Sequence, residues 1–297
     1  MQNASFAREK QLPTELAAAG KFGGFKPENE NTVRSPVAKP DRTLDGLLDA
    51  FVKFKMLSSF GDYRLDEAVK LVSRLPHSAE DVERFTIALP AYTECEDFVE
   101  KTGIFLSALI NTSFGQRVVL HLRDLPELGC LGMENTRHIV IDGNAGHYCG
   151  KFMKKGSMTV KGNAGPSPGV DMEGGILTIE GNAGHSLGLN MINGKIIVYG
   201  DTDNHCGNGA QGGEIIVRGN TSTGCGANMC GASVLVQGNA GDSCGGFMIY
   251  GKIEVMGDCG KDCGEKMFGG TINIHGKIGS VSGSGMIFHN GELIVRK

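Results

Sequence analysis

Four near-identical fragments constrain this chain more than any other feature: Gly143-Asn144-Ala145-Gly146, Gly162-Asn163-Ala164-Gly165, Gly181-Asn182-Ala183-Gly184 and Gly238-Asn239-Ala240-Gly241. Numbered from the first glycine, equivalent anchors fall at 143, 162, 181, 200, 219, 238, 257 and 276, every step 19 residues long and free of insertions. Such a period marks a solenoid, in which one coil cannot bury its apolar face alone and stacking supplies the core. Collagen, which needs glycine at every third position, is excluded.

The columns of the repeat carry the local structure. Seven residues after each anchor stands a glycine: Gly150, Gly169, Gly188, Gly207, Gly226, Gly245, Gly264 and Gly283. Ten residues after it stands methionine (Met153, Met172, Met191, Met229, Met248, Met267 and Met286), with Ala210 the one exception. At fifteen and seventeen residues the side chains are apolar, as in Ile196/Val198 and Ile215/Val217. A spacing of two is a strand with one face inward. One residue after the anchor comes Asn144, Asn163, Asn182, Asp201, Asn220, Asn239 or Asp258, and then Lys277. Glycine, followed by asparagine, best tolerates the positive φ of sharp corners. The pattern predicts a mainly β fold, a parallel β-helix of about eight 19-residue coils. At about 4.8 Å per coil it makes a rod roughly 40 Å long. His138-Ile139-Val140-Ile141 and Cys130-Leu131-Gly132-Met133 read as an earlier, degenerate coil, and Leu293-Ile294-Val295 as the last strand.

Glycine also locates the boundary. Of the 46 glycines only nine precede residue 142, while charged residues thin out beyond it. Three segments follow: a flexible or extended arm at 1–40, rich in proline and glycine, which reads as a disordered tail or as an arm that wraps a partner subunit; a helical module at 41–116; and the β-helix at 117–297. In the module Leu44, Leu47, Leu48 and Phe51 share one helix face, and Leu65, Ala68, Val69, Val72 and Leu75 share another before Pro76. Ser78 and Asp81 have capping-box spacing, and a fourth helix is expected from Asp97 to Ile110. The module's simplest task is to cover the open first edge of the β-helix.

A net charge of −4 gives no argument for nucleic acid. No apolar run reaches the roughly 20 residues of a membrane span and no signal peptide is visible, so a cytoplasmic protein is expected. Nine cysteines invite a chemical reading. Cys149, Cys206, Cys225, Cys244 and Cys263 share one column, the last four on consecutive coils. Free cysteine behaves as a small buried hydrophobe, so a packing ladder is the first reading. A metal or redox site at Cys206, Cys225, Cys244 and Cys263 is the alternative. Gly207-Asn208-Gly209-Ala210-Gln211-Gly212 matches G-x-G-x-x-G but sits inside a coil with strand after it, where a dinucleotide fingerprint needs a helix. His147, His185 and His205 read as solvated corner residues, near Asp203 and Asp242. No nucleophilic triad and no P-loop can be placed, so no catalytic or cofactor-binding residue is expected on this chain.

The unit Gly-Asn-Ala-Gly-x-x-x-Gly-x-x-Met-x-Gly-Gly-x-Ile-x-Val resembles the GXGXG repeat family. That family includes the C-terminal domain of glutamate synthase large subunits and the β-helical subunit of formylmethanofuran dehydrogenase. The resemblance covers roughly residues 117–297 and implies a right-handed coil. It also implies a non-catalytic subunit, packed against catalytic partners that carry molybdopterin or tungstopterin, iron–sulfur clusters or FMN. The methionine column is more like the formylmethanofuran dehydrogenase member. Val118 through Gly150 is more like the glutamate-synthase type, which works with separate glutaminase and FMN/iron–sulfur subunits. A self-contained enzyme or metal protein using the cysteines, and a homo-oligomeric scaffold without catalytic partners, are the competing expectations.

Overall fold

Helices come before any strand. The structure is a computed structural model that describes residues 41–55, 64–283 and 285–295, so the arm expected at 1–40 lies outside the described residues. Helix α1 (Arg42–Lys53) starts where the Asp41 carboxylate accepts from the Leu44 amide, and it buries Leu47, Ala50 and Phe51. Helix α2 (Leu65–Val72) buries Leu65, Ala68 and Val72. Helix α3 (Ala79–Ala88) opens on the capping box: the Asp81 amide donates to Ser78 Oγ at 3.2 Å and the Ser78 amide to Asp81 Oδ2 at 2.8 Å. Helix α4 (Phe98–Thr112) is buried at every position from Lys101 to Ile110, as befits a helix enclosed on all sides. Phe51 binds the module together, with its ring edge-on to those of Phe85 at 5.7 Å and Phe105 at 5.4 Å.

The strands follow in one sheet: β1 (Arg117–His121), β2 (His138–Asp142), β3 (Ser157–Val160), β4 (Ile176–Ile179), β5 (Lys195–Val198), β6 (Glu214–Val217), β7 (Cys230–Val236), β8 (Tyr250–Val255), β9 (Thr271–Ile274), β10 (Met286–His289) and β11 (Glu292–Val295). Spatial order equals chain order, and β1 to β10 run parallel. Each coil returns one strand along, which is the topology of a β-solenoid. Leu177, Ile196, Ile215, Val234, Ile253 and Ile272 form a buried inner column, and Ile179, Val198, Val217, Val236, Val255 and Ile274 a second. On a second side, single bridges stack Ala145, Ala164, Ala183, Thr202, Thr221, Ala240, Cys259 and Ile278.

The solenoid makes about nine turns, one more than the glycine anchors count, because β1 and β2 build the degenerate first coil. The pairing of Arg117 with His138 gives that coil 21 residues, against 19 for His138 with Ser157. The final coil is short: Thr271 pairs with Met286, only 15 residues on. Met286 therefore lies on a strand and is 43% exposed, whereas the other six methionines of its column are buried. Ile287 takes the inner position beside Ile272. The segment Leu293-Ile294-Val295 does not close another coil; it folds back antiparallel on β10 through a turn at Asn290 and Gly291.

Module and solenoid belong to one compact unit, Asp41–Lys297, and share one hydrophobic core. The Glu83 carboxylate of α3 accepts from the Val119 amide of β1 at 3.0 Å, filling one bond on the first strand's free edge. Helix α4 lies against the first coil so closely that a Cβ at Gly103 would stand 1.7 Å from the Gly129 carbonyl oxygen. Among the described residues no helix is long and apolar enough to cross a membrane.

Candidate functional site

The repeated columns divide by the physics that selects them. Gly150, Gly169, Gly188, Gly207, Gly226, Gly245 and Gly264 all have φ between 62° and 70°, the left-handed region where a Cβ is unfavourable. Gly283, on the shortened coil, does not; there a Cβ would meet the Gly264 carbonyl oxygen. The neighbouring left-handed positions escaped the sequence reading because they are not glycine: Ser167, Ser186 and His205 before the turn glycine, and Asp171, Asn190 and Asn228 after it.

The asparagines do stack into a ladder, as a column of like residues implies, but they are not the left-handed corner residues expected. None of Asn144, Asn163, Asn182, Asn220 and Asn239 is left-handed. Each side-chain oxygen instead accepts the backbone amide one coil on: Asn163 N donates to Asn144 Oδ1, Asn182 N to Asn163 Oδ1, and so on through Lys277 N to Asp258 Oδ1, at 2.7–2.9 Å. Only an Oδ1 acceptor is required, so Asp201 and Asp258 serve as well. Lys277 ends the ladder, because no later coil of this length needs an acceptor from it. The anchor glycine is needed for approach: a Cβ at Gly162 would stand 2.2 Å from Asn144 Oδ1.

The cysteine column runs through the core. Cys149, Cys206, Cys225, Cys244 and Cys263 are buried and unbridged. Cys259, from the alanine column, joins them beside Cys244 and Cys263. Hydrogen bonds with Cys206 and Cys244 pull the Cys225 thiol well down, while Cys225 and burial push Cys206 up. Bonds with Cys244 and Cys263 bring Cys259 down to about 4. At the other end burial pushes Cys130 and Cys149 up to about 12. Among the described residues no group of three or more His, Cys, Asp or Glu is arranged to hold a metal ion.

His185 and His205 stand exposed at their corners, whereas His147 is half-buried against α4, its Nε2 3.8 Å from a Glu100 carboxylate oxygen. Asp203 and Asp242 are exposed, and Asp242 Oδ1 accepts from the Lys261 amide. The Gly207–Gly212 stretch leads into strand β6, not a helix. Outside the cysteine column, an open groove of about 480 Å³ runs across four coils along the asparagine ladder, with Asp201, Asp203, Thr202 and Thr221 among its lining residues. Farther along the rod an apolar patch stands in solvent: Phe247, Ile249, Tyr250 and Phe268, the last 77% exposed.

These features define a helix-capped parallel β-solenoid whose recurring geometry lies in its corners and ladders. The chain matches the model of the GXGXG motif over residues 110–287 and belongs to that family. A comparison with curated proteins finds no match.

Proposed function

We propose that this chain is a non-catalytic scaffold subunit of a multisubunit oxidoreductase complex, resembling the β-helical subunit of formylmethanofuran dehydrogenase. The carrying observation is the apolar patch of Phe247, Ile249, Tyr250 and Phe268 on consecutive coils of a rigid rod. Contiguous exposed apolar surface marks protein–protein contact, and aromatic residues dominate such contacts. The described helices cap the first coils and leave this face open. In this reading the partners supply the active sites, with molybdopterin or tungstopterin, iron–sulfur clusters or FMN, and this chain holds them in register.

A native pull-down of the tagged chain with mass spectrometry tests the proposal. Pterin-carrying subunits are the expected partners, and the double substitution Phe268→Ser/Tyr250→Ser should release them while leaving the fold intact by circular dichroism. Recovery of glutaminase and FMN/iron–sulfur subunits instead would make this a glutamate-synthase-type member. Recovery of the chain alone from its native source would overturn the scaffold reading.

A further inference from the structure

Two polar side chains inside the solenoid stand out. Thr202 and Thr221 occupy consecutive rungs of the column that alanine fills at 145, 164, 183 and 240. Each is 4% exposed, and neither hydroxyl has an oxygen or nitrogen atom as a hydrogen-bond partner. Their one polar neighbour is a thiol of their own coil: Thr202 bonds Cys206 and Thr221 bonds Cys225, and each bond works to lower that thiol's pKa. A thiol is a weak hydrogen-bond partner for a buried hydroxyl, and alanine would fit here without needing one.

We propose that Cys206 and Cys225, flanked by Thr202 and Thr221, form a two-thiolate site for a soft monovalent cation of the copper(I) class. Equivalent residues on consecutive coils are about 4.8 Å apart. Two metal–thiolate bonds of about 2.3 Å placed end to end span about 4.6 Å, so a linear bridge fits without moving the backbone. Thiolates select soft ions such as copper(I), and two ligands are too few for the tetrahedral or octahedral demands of zinc or magnesium. Binding replaces two S–H bonds with two S–metal bonds, releases two protons to solvent and changes no oxidation state. The bis-thiolate ion carries one net negative charge. The two threonine hydroxyls then donate to thiolate sulfurs, which are stronger acceptors than the thiols they replace.

A polar groove lies on the outer side of the two threonines. Thr202 and Thr221 also line the 480 Å³ groove, together with the exposed carboxylates of Asp201 and Asp203. Carboxylates at the mouth of a cleft raise the local cation concentration. A second pair of buried cysteines, Cys130 and Cys149, lies at the other end of the rod, where burial pushes both thiols up to about 12. Cys130 stands one residue out of the column, since Leu131 O takes the Gly150 amide as Cys149 O takes that of Gly169, and the rungs there are Leu128 and Ala145, without hydroxyls, so these two thiols serve as an internal control. The inference concerns this chain alone and does not rest on the scaffold reading.

The test is an anaerobic titration of the reduced full chain against copper(I) held by bicinchoninate. The expected result is withdrawal of one ion per chain with a thiolate charge-transfer band in the ultraviolet. Cys225→Ser should weaken binding at least tenfold. Cys130→Ala and the exposed Cys230→Ser should leave it unchanged. Thr202→Val/Thr221→Val, which preserves shape and removes only the hydroxyls, should weaken it about tenfold and decides the matter if Cys225→Ser fails to fold. No withdrawal by the parent chain would overturn the proposal. So would full binding by the valine variant, or loss on Cys244→Ser with none on Cys206→Ser.

Discussion

The helical module and the solenoid are built on opposite economies of packing. In the module one ring, Phe51, meets Phe85, Phe98 and Phe105 edge-on, and Lys101 Nζ lies 4.8 Å over its face. In the solenoid no single side chain dominates, and stability is spread over columns in which each residue meets its own equivalent one coil away. A local defect should therefore unmake the module as a unit but propagate along the solenoid coil by coil, as expected for quasi-one-dimensional stacks.

The largest test of that difference is Gly226→Val. Residue 226 has φ 64°, and a Cβ there would stand 2.4 Å from Ile253 Cδ1. The expected loss is on the order of 4–5 kcal/mol, at the extreme for a single change, with hydrogen-exchange protection falling across residues 206–264 and intact in α1 to α4. Phe105→Ala should cost about 3–5 kcal/mol, with the opposite exchange pattern: the module opens and the later coils stay protected. Ala210→Met should overpack by about 1–3 kcal/mol. Five methionine tips occupy the space a Cβ would take thirteen residues after the next anchor: Met153 at Gly175, Met172 at Gly194, Met191 at Gly213, Met229 at Gly251 and Met248 at Gly270. The one coil with alanine in place of methionine is followed by the one coil with alanine, Ala232, in place of that glycine. Adding Ala232→Gly should accordingly restore much of the loss, and additive melting temperatures would refute the coupling. Asn182→Ala removes the acceptor for the Asp201 amide and should cost about 1 kcal/mol, whereas Asn182→Asp should be nearly neutral by chemical denaturation.

The smallest effect is a titration in the module. Burial works to raise the Asp81 pKa, but the Ser78 hydrogen bonds and the Arg84 guanidinium outweigh it and hold the carboxyl below its usual value. A lowered folded-state pKa means that the capping box contributes above the unfolded value of about 3.9 and is lost as pH falls through the lower folded one. The stability gap between parent and Asp81→Asn should thus close on acidification, and a gap constant from pH 7 to pH 2 would exclude this account.

Where the sequence spoke clearly, it did so through repetition. The alternation of Ile196/Val198 and its equivalents placed the strands, and the apolar faces around Phe51 and Val72 placed α1 and α2. Repetition also misled. Met286 continues the methionine spacing but belongs to a coil four residues shorter, and only its pairing with Thr271 reveals this. The asparagine column was visible while its reason was not, because a side chain that accepts a backbone amide one coil away looks the same in sequence as one that tolerates positive φ. Thr202 and Thr221 were invisible as partners of the cysteines, since the alanine and cysteine columns lie four residues apart and meet only across the interior of the coil.

The pairing of Ala210 with Ala232 sets a rule for how such a chain can change length. Most coils here are interchangeable singly, since every methionine is followed by a glycine that makes room for it. Removing residues 200–218 would instead bring the Met191 tip against Ala232, and removing 219–237 would leave Ala210 facing Gly251 across a void. Removing both restores Met191 opposite glycine. At this one place the heritable unit is two coils, so insertions and deletions in the lineage should be counted there in steps of 38 residues, two solenoid periods.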